Sequence, residues 1–496
     1  MAVLVVSTSY LFGVASARAD NGEIQLRTSR EIPASIFGTG THFGQSANYK
    51  EILPRVEKVG YKWIRDEVYW NKVEKEKGVL VLPENAEAWI NDARSRKLSI
   101  MLVLGYGNKF YPAEDFEAFK KGYANYCAFM AKALKGRVQV WELWNEPSNS
   151  FRKSFGGAWN AKPAEGEKIS PWLDKFTDLV IAGARAIRKA DPDAIIITNP
   201  DNPAAHYFLD ALEERDGVDF FDGISIHPYS YRTPPEVRPV GGASLNGRDG
   251  VVVADDDHSY ASELRLLREK MRSVGMNPAN LYATEFGYTT FHRRAGLYEG
   301  VSYAAQAKYL ARQLILQLAY EIPVAIQYGV QDDHADLTSE HGNFGLFRHG
   351  RYDYAPKPSF FAVQRVCSLF SSPVELYMPN WAVGVVPDRY PDETGKHHLV
   401  WDNQELRFLN RVETHLFRNP ETGEVMLVLW NAVKCSDRQH LLSDVTLDTD
   451  AYSEFSGWDI LTGEEVALNV SKTDGKTMFK NVVIPDYPLV IRMLLP

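Results

Sequence analysis

From residue 36 to about residue 370, short apolar runs alternate with longer stretches of helical period, the pattern of strands joined by helical crossovers in a parallel sheet. The predicted strands are 36–43, 62–66, 99–104, 138–144, 194–198, 223–229, 282–286 and 324–328. Between them, 114–134 is representative: Phe116, Phe119, Tyr123, Cys127, Met130 and Leu134 recur every three or four residues and put one apolar stripe on one helix face. Eight strand–helix units predict an α/β fold closed into a (β/α)8 TIM barrel, with an open doubly wound sheet as the alternative. The last helix is placed at 359–370, after the punctuation of Pro356-Lys357-Pro358.

Beyond residue 371 the helical period stops, and runs such as 425–430, 458–461 and 482–484 alternate with Gly, Pro, Asn and Asp turns. The expected organisation is a catalytic barrel over 20–370 and a β-sandwich accessory domain over 371–496. The stretch 23–34 is expected to add a strand to that sandwich. Residues 2–15 are mostly apolar and small, and Ala15-Ser16-Ala17 and Ala17-Arg18-Ala19 fit a small-x-small cleavage signature, so 1–19 reads as a signal peptide and the protein as secreted or periplasmic. Against that reading, no Lys or Arg precedes the apolar run. Elsewhere no apolar run reaches the length of a membrane span.

Charge and cysteine content narrow the chemistry. With 55 Lys and Arg against 64 Asp and Glu, the net charge of -9 offers no footprint for a phosphate backbone, which argues against nucleic acid as a partner. Cys127, Cys367 and Cys435 are too few and too far apart for a disulfide framework or a thiolate metal cage, and read as core thiols.

In a parallel barrel the active site lies at the carboxyl ends of the strands. Strand four ends Trp144-Asn145-Glu146-Pro147 and strand seven ends Glu285-Phe286-Gly287, each an apolar run closed by a carboxylate. Two carboxylates facing each other across a barrel mouth are what glycoside hydrolysis requires, one protonated to donate to the leaving oxygen and one ionised to attack. Alternation along strand six puts Ser225, His227 and Tyr229 on the barrel-facing side, and Arg65 ends strand two, where its fork can hold a carboxylate ionised. By the same parity Glu142 faces the barrel one layer below Glu146, where a buried structural ion pair is the better reading.

Trp-Asn-Glu-Pro at 144–147, Glu-Phe-Gly at 285–287, Trp-Ile-Arg at 63–65 and His-Pro-Tyr at 227–229 together resemble the retaining β-glycosidases of glycoside hydrolase clan A, and most of all family 39. The likeness runs over about 36–370 and includes Gln331-Asp332-Asp333 and Asn343-Phe344-Gly345-Leu346. It implies Glu146 as acid/base, Glu285 as nucleophile and Asn145 as a partner of the sugar 2-hydroxyl. It also implies Arg65, Tyr229 and His227 as supports of the nucleophile and the sugar, with His42 and Tyr328 lining the same subsite. One departure stands out: Gln327-Tyr328-Gly329 replaces the Trp-Tyr-Asp sugar platform that the family often carries at strand eight, which bears on the identity of the sugar.

Several features have plainer readings. The aromatic insertion with Phe151, Phe155, Trp159 and Trp172 is either a sugar-stacking wall or loop packing. Asp255-Asp256-Asp257 reads as a solvated acidic turn, since a calcium cage needs more oxygen ligands at fixed spacing. Gly38-x-Gly40 and Gly105-x-Gly107 lack the full dinucleotide spacing and read as backbone turns. Asn469-Val470-Ser471 fits a glycosylation acceptor.

The expected function is hydrolysis of a β-linked glycan through a covalent glycosyl-enzyme, with no metal, nucleotide or flavin implied. The alternatives are a catalytically silent carbohydrate-binding protein, which the altered strand-eight motif motivates, and a transglycosylase using the same two glutamates. Exo or endo action, the sugar, the role of the sandwich and the oligomeric state stay open at this stage.

Overall fold

The computed structural model describes residues 24–238, 248–291, 294–295, 298–339, 341–371, 373–387, 396–398, 405–407, 411–436 and 440–496. The expected signal peptide at 1–19 lies outside them. Eight parallel strands close a barrel: β1 (Phe37–Gly40), β2 (Trp63–Glu67), β3 (Ser99–Leu104), β4 (Val140–Leu143), β5 (Ile195–Thr198), β6 (Gly223–Ile226), β7 (Leu281–Phe286) and, after a short hairpin of β8 (Arg294–Ala295) and β9 (Tyr298–Glu299), β10 (Ala325–Gln327). Closure runs through β1, which pairs with β10 at Thr39 and Gln327 on one side and with β2 at Gly40 and Arg65 on the other. The barrel reading is therefore right and the open sheet is excluded. Each strand falls inside or within a residue of its predicted run; most strand residues are buried, and the longer runs such as Ser99–Leu104 are apolar enough to stand out from their surroundings.

Two cores hold the barrel. Inside, Met101, Val140, Ile197, Tyr282, Val324 and Ile326 fill the lower lumen. Outside, a much larger apolar layer joins strands to helices. Helix Phe116–Ala133 buries Phe119, Tyr123, Cys127 and Met130 from the predicted stripe, and Asp115 caps it by accepting from Ala118 N. Gly38 and Gly40 lie within β1 and not in turns, and a Cβ on Gly38 would stand 2.4 Å from Trp63 Cβ, so β1 and β2 need a glycine there.

The C-terminal part is a sandwich of a six-stranded and a four-stranded antiparallel sheet. Val425–Asn431 and Leu489–Leu494 lie inside the first sheet, and His440–Leu447 and Lys476–Pro485 inside the second; Leu427, Leu429, Leu441, Val445, Phe479 and Ile491 pack between them. The expected extra strand from 23–34 does not form. Among the described residues, 24–34 runs as an irregular segment beneath the barrel, where Ile32 is buried, Lys62 Nζ donates to Ser29 O at 2.9 Å, and Arg27 N donates to Ser368 Oγ at 3.0 Å. Its local apolar pattern is real, but a barrel floor rather than a sheet edge buries it.

Sandwich and barrel meet over a buried polar seam. Arg312, on helix Tyr303–Ala319, is fully buried; its Nε donates to Glu236 Oε1 at 2.9 Å, its Nη2 to Glu236 Oε2, and its Nη1 to Val433 O at 2.8 Å. Trp430 of the sandwich donates its indole N–H to the same Glu236 Oε1 at 2.7 Å. Lys308 Nζ reaches Asp486 Oδ1 at 2.7 Å. Cys127 and Cys367 are buried core thiols as expected, while Cys435 is half-buried at this seam.

Candidate active site

The strands deliver their terminal side chains to one cavity of about 280 Å³ at the barrel mouth, lined among others by His42, Arg65, Glu67, Asn145, Glu146, Tyr229, Glu285, Tyr328 and Phe344. Arg65 organises it. Its guanidinium is 8% exposed and donates in three directions: Nε to Glu142 Oε2 at 2.5 Å, Nη1 to Glu285 Oε1 at 2.7 Å, and Nη2 to Asn145 Oδ1 at 2.7 Å. Burial opposes its charge, but the carboxylates of Glu142 and Glu285 outweigh that and raise its pKa. Glu142 is the structural partner that strand parity suggested: fully buried, it also accepts from Ser225 Oγ at 2.6 Å and Thr284 Oγ1 at 2.8 Å.

Glu285, at the end of β7, takes Arg65 on one oxygen and the Tyr229 hydroxyl on the other at 2.9 Å. Both carboxylate oxygens thus accept from donors fixed by the barrel wall. Glu146 follows β4 on a bend where Trp144 has φ 67° and Glu146 φ 44°. Left-handed backbone at two non-glycine residues costs on the order of 1–3 kcal/mol each, and it brings Asn145 and Glu146 to the same cavity.

Glu146 Oε1 lies 2.8 Å from His227 Nδ1 and its Oε2 accepts from Asn149 Nδ2 at 2.8 Å. His227 Nδ1 is also 3.6 Å from Glu285 Oε2. Burial pushes the Glu146 carboxyl up, yet the hydrogen bond and charge of His227 hold it below its usual range. Burial likewise opposes the charge on His227, but Glu285 and Glu146 lift its pKa to about 9. The pair thus carries one proton, held on His227 and donated to Glu146 at 2.8 Å. Asp201, in the loop after β5, is pushed up to about 7 by burial and by the charge of Glu146.

All eight residues singled out from sequence fall at this mouth: seven line the cavity and His227 touches both carboxylates. His42 follows β1 with φ 57°, its Nδ1 3.2 Å from Asp333 Oδ1, and its ring 5.1 Å from that of Tyr328. Sequence reasoning missed Glu67, Asn149, Asp201 and Asp333. The signal for Glu67 was present, since it is two residues beyond Arg65 on the same strand and shares its face. The other three sit in loops, where no periodicity points them inward.

Glu146, His227 and Glu285 present ligating atoms within 4.8 Å of one another, the one grouping among the described residues that geometry alone would allow a metal ion. Arg65 at 2.7 Å from Glu285 puts a fixed positive charge beside it, which disfavours a cation there. The aromatic insertion is loop packing over most of its length: Phe151 and Trp172 are buried, Phe151 lies 5.2 Å from the Trp144 ring, and only Trp159 is exposed. The acidic turn spends Asp255 on Arg265 and Asp257 on Ser259 N.

Comparison with known proteins gives the same picture. The structure superposes with TM-score 0.66 on a family 39 glycoside hydrolase from the gut symbiont Bacteroides cellulosilyticus WH2, at 20% identity over 95% of this chain and 82% of that one. It matches a glucosidase from Croceicoccus marinus with TM-score 0.54 at 12% identity, over 95% and 98% of the two chains. A family 30 subfamily 8 xylanase from Clostridium acetobutylicum gives TM-score 0.51 at 12% identity, over 96% and 98%. At these identities the matches speak for the fold. No curated protein matches the chain. The family model for cellulase, glycosyl hydrolase family 5, matches residues 28–312, which hold the first seven barrel strands and both glutamates. That span is more than half of the chain, and the clan A resemblance carried by the strand-end motifs resolves accordingly: the chain belongs to the cellulase family, glycosyl hydrolase family 5.

Proposed function

We propose that the protein is a retaining glycosidase that opens a β-glycosidic bond in two steps with Glu285 and Glu146. The observation that carries this reading is the spacing of the two carboxylates, whose oxygens approach within 4.8 Å. Retention works at about 5–5.5 Å between carboxyl groups, whereas inversion needs roughly 6.5–9.5 Å to admit a water.

In the first step a Glu285 oxygen attacks the anomeric carbon, the bond to the leaving oxygen breaks, and that oxygen takes a proton from Glu146. That proton reaches Glu146 from His227, 2.8 Å away, so the single proton held by the pair is the one consumed and both side chains are left without it until the second step. Once Glu285 is esterified its charge is gone, and with it part of what kept His227 protonated. In the second step water attacks the same carbon, the ester bond breaks, and the water's proton returns to the Glu146–His227 pair. Arg65 and Tyr229 take up the returning charge on Glu285.

The test is hydrolysis of aryl β-glycosides and β-linked glucans and xylans by the wild type beside Glu285→Gln, with the first-formed anomer read by NMR. We expect the β-anomer from the wild type and background turnover from the variant. Wild-type turnover in Glu285→Gln, or an α-anomer formed first, overturns the mechanism.

A further inference from the structure

The loops that leave β4 and β6 meet around a second cavity of about 390 Å³ on the carboxyl-end face of the barrel. Among the described residues its lining includes Trp159, Asn160, Lys162, Glu167, Pro171 and Arg248, and none of these lines the cavity that holds Glu146 and Glu285. Trp159 is 39% exposed, the one exposed tryptophan among the described residues. An indole turned toward water forgoes the burial that usually keeps so large an apolar side chain inside. The Arg248 guanidinium lies 5.4 Å from the centre of the Trp159 ring. It is held there by Asp249, fully buried, whose Oδ1 and Oδ2 accept from Arg248 Nε and Nη2, each at 2.7 Å. Asn160, the neighbour of Trp159, donates its Nδ2 to the same Asp249 Oδ1 at 3.1 Å and to Arg248 O at 3.2 Å. On the other side of the indole in sequence, Ala158 O accepts from Trp172 Nε1 at 2.7 Å. The two loops are thus tied to each other, and a ligand meets a wall that is already in place and need not be ordered on binding.

We propose that this cavity is a second glycan-binding site, in which one sugar ring of a β-linked polysaccharide stacks on the Trp159 indole while its hydroxyls meet Arg248, Lys162 and Glu167. The proposal rests on the reading that the chain opens a β-linked glycan between Glu146 and Glu285. A pyranose ring has an apolar face of C–H groups and a polar edge of hydroxyls. An aromatic surface flanked by two cationic donors and a carboxylate acceptor matches both at once. The site stands on the same face of the barrel as the two glutamates, and the loop that carries Trp159 also sends Asn149 to their cavity. That cavity, at about 280 Å³, falls just below the ~300–1,000 Å³ of sites that enclose a drug-sized ligand, so a polymer held there must run on over the surrounding surface. Holding the same chain at a second point makes its return to the glutamates intramolecular.

The test is affinity electrophoresis through gels containing xylan or mixed-linkage β-glucan. Glu285→Gln serves as the parent so that the matrix is not cut, and Trp159→Ala or Trp159→Phe is added to it. Turnover of 4-nitrophenyl β-glucoside, 4-nitrophenyl β-xyloside and the two polymers is measured separately on the wild type and on Trp159→Ala alone. We expect Trp159→Ala to raise the dissociation constant for the retaining polymer about 10–30-fold, the loss typical of truncating an aromatic anchor. Trp159→Phe should recover most of the retention, and kcat/KM on the aryl glycosides should stay as in wild type. Unchanged retention in Trp159→Ala, a Phe variant no better than Ala, or an equal loss on the aryl glycosides overturns the proposal. Retention that depends on Trp159 in a protein that cleaves none of the four substrates upholds the site while removing the hydrolase reading. A parent retained by neither gel removes the site, and the hydrolase reading then stands or falls on wild-type turnover alone.

Discussion

Replacing His227 by Gln separates a proton reservoir from a packing residue. In the wild type, the rise of His227 from 6.5 to about 9 is worth about 3 kcal/mol in favour of its protonated form, at 1.36 kcal/mol per pH unit. Because the proton is shared with Glu146, the basic limb of kcat/KM should fall near pH 9. Gln keeps an N–H for Glu146 but carries no proton to lend. Glu146 then titrates as a buried carboxyl relieved of its cationic partner, and the basic limb should move from near pH 9 to clearly lower pH. The stability linkage has a definite sign. A group with a raised folded-state pKa contributes stability that is complete below its unfolded pKa of 6.5 and is lost as pH rises through about 9. Denaturant midpoints of wild type and variant should therefore converge between pH 7 and 10. The assay is kcat/KM on an aryl β-glycoside from pH 4 to 10. A basic limb that stays within half a unit of the wild-type value would refute the shared proton, whatever the variant does to the absolute rate.

Two further perturbations probe the supports of the site. Arg312→Met leaves Glu236 buried with only an indole N–H from its former seam partners, and breaking a buried pair in this way should cost about 3–5 kcal/mol, read as a lower denaturant midpoint and easier proteolysis at the domain seam. Gly44→Ala would place a Cβ 2.1 Å from Glu67 O, so the chain must shift at the wall of the cavity that Glu67 lines; we expect KM to rise while the far-UV spectrum stays as in wild type.

What the sequence disclosed follows from where periodicity exists. Strands such as Ser99–Leu104 and Leu281–Phe286 are apolar runs between helices, and once eight of them close into a barrel their carboxyl ends must converge, so Arg65, Glu146 and Glu285 meet without any contact having been inferred directly. Parity along β4 and β6 correctly sent Glu142 and Ser225 inward to the same hydrogen-bonded layer. The residues that stayed hidden act through loops: Asp333 meets His42 across 291 positions of sequence, and Asn149 reaches Glu146 through a bend created by left-handed backbone. The 24–34 segment failed for a related reason, since a short apolar stretch carries no record of whether a sheet or a barrel floor will cover it. Likewise, the aromatics after β4 could be divided between packing and exposure only once Trp144 and Phe176 were seen to enclose Phe151.

The seam at Glu236 reaches further than its position suggests. Arg238, two residues on, donates to the backbone oxygen of Tyr229 and is itself paired with Glu263 at 2.7 Å, so the segment that supplies His227 and Tyr229 to the cavity is pinned within a few residues of the point where Trp430 and Arg312 grip it. A chain shortened to its barrel would not be a smaller version of the same catalyst. It would carry an undocked arginine, a carboxylate that has lost its indole N–H, and a loose hinge beneath the tyrosine that steadies Glu285. The second domain thereby becomes inherited equipment of the first, and exchange of modules between relatives would have to carry Glu236, Arg312 and Trp430 together or rebuild the seam around their loss.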